Sequence, residues 1–280
     1  MWENSFTKPL FNSFSRQQKG GSILHQEQIQ TFHTWFNQYV KSFYSNDPKL
    51  QAGIKFKEEH TRRVCENIVR IGQSLNLGSE DLYLAETIAL FHDIGRFKQY
   101  TLYRSFNDRR TEDHALMGLR ELELTGILSV MAETERDIIK IAIEYHNQRD
   151  LPQSLPDHCL LFARLVRDAD KLDILESFVE YYTQPTHEAY SVMETGLPDT
   201  PEYSKAFVEN LLQQQSCSYG DVKNCNDRKL LQLSWIYDMN FACALSEIAR
   251  KGYIKKIFDT LPATQDMQAV QDYMQAFIGN

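Results

Sequence analysis

Four histidines and several carboxylates of this sequence stand where helical spacing would otherwise call for an apolar residue: His60, His92, Asp93, His114, His146 and an acid in the run from Asp168 to Asp173. Imidazole and carboxylate donors together suit Mn, Fe, Zn, Ni or Co. In the segment that ends at His92-Asp93, Ala85, Ile88, Ala89 and His92 share one stripe, so His92 extends an apolar face inward. Asp93 lies about 100° further round a continuous helix, so both side chains reach one point only if the helix end borders a cavity. His60 is followed on its own face by Val64, Ile68 and Ile71, His114 opens a helix after Asp113, and His146 closes one behind Ile139, Ala142 and Ile143. The acidic run is flanked by Leu161, Phe162, Leu165, Val166, Leu172 and Leu175. A lone anion there is costly to bury, and a divalent cation is one of the few things that offsets the cost. Periodicity leaves Asp168, Asp170 and Asp173 as alternatives, and an ion pair to Arg164 or Arg167 is the bland reading. A single His-Asp dipeptide carries little weight; the recurrence of such residues on apolar stripes carries more.

The elements that position these residues are helical. From Glu27 to Tyr44, Ile29, Phe32, Trp35, Phe36, Tyr39 and Val40 recur at steps of three and four. Further helices are expected at about 54–76, 80–98, 113–124, 134–147, 157–183, 201–215, 227–260 and 265–278. Breaks come at Asn107-Asp108, at Leu151-Pro152 to Pro156 and at Gln184-Pro185. Residues 1–22 lack a sustained period and read as an N-terminal arm, residues 23–185 as the helical core, and residues 186–280 as a C-terminal helical extension packed on it. The Pro-, Gly- and polar-rich stretch 184–226 is where the core is expected to give way.

Composition sets the outer bounds. With 280 residues, 42% apolar and 24% charged, the chain has length and apolar content for a large packed core. A net charge of −8 argues against the broad positive surface of an extended nucleic-acid binder, though not against a small anion held by a metal and a few local cations. The five cysteines are scattered without a C-x-x-C pair and read as reduced thiols. The first 21 residues have no apolar core of a signal peptide, and no apolar run approaches the ~18 residues of a membrane span, so a cytoplasmic location is expected. No Gly-rich phosphate loop or nucleophile triad is visible. His25, His33, His158 and His187 read as surface or capping residues, and Tyr181, Tyr182, Tyr190 and Tyr203 as packing.

His60, then His92-Asp93, then Asp170 within Asp-Ala-Asp-Lys-Leu-Asp, resembles the H…HD…D signature of the HD-domain metal-dependent phosphohydrolases. The stretch Phe91 to Tyr100, with Asp113-His114-Ala115 and Ala142 to Asn147, is similar to one bacterial branch; the likeness spans roughly residues 55–180. It implies an all-α, HD-domain helical bundle with additional C-terminal helices. It places the last metal ligand on Asp170, and His114 and His146 look like the extra histidines of members with two metals, where Asp93 would bridge. Alternatively these two contact phosphate or donate a proton to the leaving group. The implied cofactor is one or two divalent transition metal ions (Mn, Fe, Ni, Co or Zn). The implied reaction is cleavage of a phosphoester in a nucleotide or small phosphorylated metabolite by metal-activated hydroxide, with the pKa of the coordinated water lowered from about 15.7 toward ~7. Asp93, Lys171 and Arg96 are the expected catalytic residues, the last two as phosphate contacts; Arg104, Arg109, Arg110 and Arg149 lie in loops nearby. The Gly-Tyr-Pro element of cyclic-dinucleotide phosphodiesterases is absent, which disfavours that activity. A di-iron oxygenase and a non-catalytic metal-binding regulatory module are the rival readings. A small phosphorylated substrate is the expected partner, with no extended nucleic acid and no membrane; self-association is left open.

Overall fold

The computed structural model describes residues 21–184, 193 and 196–279. The arm expected over residues 1–22 lies outside them except for Gly21 and Ser22, which begin the first helix. The side chains of His25, His187 and Tyr190 also fall outside. Among the described residues there are twelve α-helices and no strand, an all-α fold.

The first cluster is built on two 27-residue helices, α2 (Pro48–Ser74) and α7 (Asp157–Thr183), which pack on each other. Asp47 caps α2, accepting from the backbone N–H of Lys49 and Leu50, and Pro48 begins the helix where a missing N–H costs nothing. Ile54, Val64, Ile68 and Ile71 of α2 meet Phe162, Leu165, Val166 and Ala169 of α7 in one buried core. α3 (Ser79–Phe91) lies against both and adds Leu84, Ala85, Ile88 and Ala89. α1 (Gly21–Lys41) covers α3, with Phe32 edge-on to Phe91 at 5.5 Å between centroids, and Phe36 edge-on to Phe97 at 5.8 Å. α4 (Ile94–Tyr103), α5 (His114–Thr125) and α6 (Glu133–Tyr145) close the remaining side.

The last turns of α7 enter a second cluster. Leu172, Leu175 and Val179 pack with Phe207 and Leu211 of α8 (Lys205–Leu212), Leu230 and Leu233 of α9 (Cys225–Ser234), Ile248 of α10 (Ala242–Lys251), Ile254 and Ile257 of α11 (Tyr253–Phe258), and Val270 and Met274 of α12 (Gln265–Gly279). Ala244 of α10 reaches back into the first cluster.

Two expected helices are in fact interrupted. The one over 80–98 divides into α3 and α4 at His92-Asp93, where Asp93 leaves helical geometry (φ −106°, ψ 16°). The one over 227–260 becomes α9, a 3-10 turn at Trp235–Asp238, α10 and α11, because Met239 and Phe241 are extended and Gly252 takes a left-handed φ of 66°. The expected 201–215 helix is shorter, Lys205–Leu212. All five cysteines are free of disulfides, and among the described residues no helix is long and apolar enough to cross a membrane.

Candidate metal centre

The break between α3 and α4 makes the centre. Because Asp93 is not one step along a continuous helix from His92, both side chains turn to the same point. His60 comes to that point from α2, His114 from the first residue of α5 behind its Asp113 cap, His146 from the C-terminal cap of α6, and Asp170 from mid-α7. Five of these six residues are buried, and the Asp170 side chain is 15% exposed. The sequence-derived set of six is thus brought together whole.

Asp93 stands in the middle. Its Oδ2 lies 3.3 Å from His60 Nε2 and 3.6 Å from His92 Nε2, while Asp170 Oδ1 lies 3.1 Å and 3.7 Å from the same two nitrogens. Its other oxygen, Oδ1, lies 3.1 Å from His114 Nε2 and 3.8 Å from His146 Nε2. Ligand-type atoms of His60, His92 and Asp93 fall within 4.8 Å of one another, as do those of His92, His146 and Asp170, and of Asp93, His114 and His146.

Every imidazole is held from behind through Nδ1. His92 Nδ1 donates to the Ala89 carbonyl at 2.7 Å and His146 Nδ1 to the Ile143 carbonyl at 2.6 Å. His60 Nδ1 is 2.6 Å from Asp173 Oδ2, and His114 Nδ1 is 2.8 Å from Asp108 Oδ2. A proton on Nδ1 of a neutral imidazole leaves a lone pair on Nε2. Four lone pairs and two carboxylates therefore converge, an assembly of acceptors with no donor among them.

That arrangement fits a cation. The Nε2 atoms of His60 and His92 and the Oδ1 of Asp170 are buried without a hydrogen-bond partner, whereas the great majority of buried polar atoms in folded proteins are paired. The Nε2 atoms of His114 and His146 face each other at 2.9 Å, which needs a proton or a metal ion between two lone pairs or beside them. Electrostatics point the same way. Burial and the Lys57 ammonium push His60 down, but Asp170, Asp173 and Asp93 outweigh them and raise it to about 10, so proton and cation compete for this imidazole. Burial also opposes charge on Asp93 and Asp170. Lys57 and His92 nevertheless hold Asp93, and His60 and His92 hold Asp170, well below the ordinary carboxylate range.

The three acids of the α7 run have separate surroundings. Asp170 faces the centre. Asp173 sits behind His60 and is also gripped by Arg63, Nη2 at 3.1 Å. Asp168 points elsewhere, accepting from the backbone N–H of Asn240 and Phe241 at 2.8 and 2.9 Å and from the Asn240 amide at 2.8 Å. Lys171 pairs with Asp238, as does Arg167, whose guanidinium also holds the carbonyls of Tyr145, Gln148 and Arg149 on either side of His146. Lys171, the expected phosphate contact, leaves α7 on the face of the 3-10 turn and is engaged there by Asp238. Arg96 does lie at the centre, with Nε 3.4 Å from Asp93 Oδ1 and Nη1 bonded to Asp108 at 2.9 Å, to Gln99 at 2.8 Å and to the Phe106 carbonyl at 2.7 Å.

Two residues at the centre escaped the sequence reading. Lys57 donates to Asp93 Oδ2 at 2.6 Å; a signal existed, a lysine three residues before His60 between Ile54 and Val64 on the buried side of α2. Asp108 gave none, because it sits in a loop with no periodicity. Of the other histidines, His33 pairs with Glu86 at 2.7 Å and His158 with Asp81 at 3.1 Å, both away from the centre. Tyr182 and Tyr203 spend their hydroxyls on Gln232 and Asp266.

The HD domain family model matches residues 58–175, a span that starts just before His60 and ends just after Asp173. No curated protein and no solved structure matches the chain. The matched span holds the buried His/Asp cluster, and over residues 58–175 the chain is similar to the HD domain.

Proposed function

We propose that this protein is a metal-dependent phosphohydrolase that cleaves a phosphoester of a nucleotide or another small phosphorylated metabolite. The observation that carries the reading is the split of Asp93: one oxygen toward His60, His92 and Asp170, the other toward His114 and His146. His60, His92, Asp93 and Asp170 would hold one divalent ion, and Asp93, His114 and His146 a second. Ions held there supply Lewis acidity toward a phosphoryl oxygen and a water acidified toward neutral pH. The chain's own residues do the rest. The Ala89 and Ile143 carbonyls, Asp173 and Asp108 fix each imidazole in the tautomer that presents Nε2. Arg96, bonded to Asp108 and close to Asp93, keeps the acids on the His114 side in register. Burial of the histidines excludes bulk water, and the partly exposed Asp170 marks the side open to substrate.

Metal content of the purified chain, followed by phosphate release from p-nitrophenyl phosphate and a nucleotide panel with Mn, Ni, Co or Fe restored, tests this. One or two equivalents of metal with metal-dependent phosphate release is the expected result. The same donors suit two iron ions, so oxygen consumption without phosphate release would move the assignment to an oxygenase. A folded protein that takes up no metal after reconstitution would sink both.

A further inference from the structure

Three cationic side chains border the centre: Arg63 is spent behind it on Asp173, and Arg96 gives Nη1 to Asp108, Gln99 and the Phe106 carbonyl while its Nε lies 3.4 Å from Asp93 Oδ1, the oxygen on the His114 side. Lys57 is placed differently. Its Nζ donates at 2.6 Å to Asp93 Oδ2, the oxygen that faces His60 and His92. The side chain comes from the turn of α2 before His60 and is 10% exposed, with the Phe106 ring 5.6 Å from Nζ. An ammonium is thus seated on the carboxylate oxygen that belongs to the proposed metal position. Both charges are buried, so each needs the other unless something else compensates it. A divalent ion holding the same oxygen would be repelled by this ammonium through a medium that screens poorly.

We propose that Lys57 is a built-in counter-cation for Asp93, against which the metal is taken up: it stabilises the protein before the ion arrives and weakens the ion's hold afterwards. Occupancy of the centre is then set by exchange between an ammonium and a divalent ion, and the metal is held less tightly than its donors alone would hold it. Lys57 acts here as a positioning residue, through Asp93. The inference rests on the metal-centre reading above, and its consequence is specific: taking the charge away should improve metal binding, the opposite of what loss of a ligand or of a merely structural lysine would do.

The test uses the full chain as wild type, Lys57→Met and Lys57→Arg, stripped with a chelator and titrated with Mn²⁺ against a fluorescent chelator, with melting temperature read before and after saturation. Lys57→Met should melt lower than wild type when stripped, bind Mn²⁺ about tenfold tighter or more, and melt close to wild type when saturated. Lys57→Arg, which keeps the charge, should bind Mn²⁺ as wild type does. Unchanged or weaker Mn²⁺ affinity in Lys57→Met, or an equal fall in melting temperature with and without Mn²⁺, would overturn the role of Lys57 while leaving the metal centre standing. Folded wild type that binds no Mn²⁺, Fe²⁺ or Zn²⁺ would overturn the metal-centre reading and this inference with it. If Lys57→Met does not fold, Lys57→Gln, neutral but still a hydrogen-bond donor, carries the same comparison.

Discussion

Asp93 belongs to two groups of histidines at once, and single substitutions should separate them. Asp93→Ala removes the shared carboxylate, so metal content should fall to near zero. His114→Ala touches one group alone and should remove at most one equivalent, leaving the ion held by His60, His92 and Asp170; elemental analysis of the two variants beside wild type checks this. Equal loss in both would mean a single ion shared by all six donors. The supporting acids predict a subtler effect. Asp173→Asn keeps an oxygen for His60 Nδ1 but loses the charge that makes this imidazole a stronger donor, and it leaves Arg63 without its anion. Metal affinity should drop roughly 10- to 100-fold with stoichiometry unchanged, as read by chelator competition.

At the scale of elements, the backbone matters as much as the ligands. Gly95 lies where α4 crosses α5, and a Cβ there would stand 2.2 Å from the His114 carbonyl oxygen and 2.6 Å from the Gly118 nitrogen. Neither is a flexible side chain, so Gly95→Ala must push α5 away, and His114 with it. The variant should lose about 1–3 kcal/mol of stability and the metal bound on the His114 side, measured by thermal melting and metal content together. Gly118→Ala, whose nearest contact would be the Ile94 side chain at 3.1 Å, should be milder. The same junction shows what sequence could and could not deliver. The apolar stripe placed His92 inside correctly, because burial follows the helical period. The break at His92-Asp93 was not legible, because Leu84 to Tyr100 contains no proline and its one glycine, Gly95, lies just past the break. What ends α3 there is tertiary: α4 must turn to meet α5. Likewise, periodicity left Asp168, Asp170 and Asp173 equivalent, since all three are flanked by core residues; only their partners on other helices separate them. Lys171 follows Asp170 directly in sequence, yet its ammonium pairs with Asp238 of the 3-10 turn, a partner that helical spacing does not reveal.

Over the whole molecule, α7 and α10 contribute to both hydrophobic clusters, and Asp168 of α7 is a polar joint between them. Its carboxylate is fully buried and accepts three hydrogen bonds from Asn240 and Phe241, the residues that lead into α10. Two residues away on the same helix Asp170 serves the proposed centre, so one turn of α7 docks the C-terminal helices on one face and meets the histidines on another. Asp168→Ala would take the acceptor from the backbone N–H groups of Asn240 and Phe241; Asn240 is exposed and its amide keeps the Asp238 carbonyl, so water offsets part of the loss and the cost is about 1–2 kcal/mol. Melting temperature should fall accordingly, whereas metal stoichiometry in the folded fraction should match wild type, because the Asp168 carboxylate is bonded to the Asn240–Phe241 segment and not to the histidines. Asp168→Asn, which keeps one acceptor oxygen, should fall between the two. Loss of metal in step with loss of stability would show instead that the docking of α10 and the geometry around Asp170 are one cooperative unit, and that the C-terminal helices are required for the centre to form.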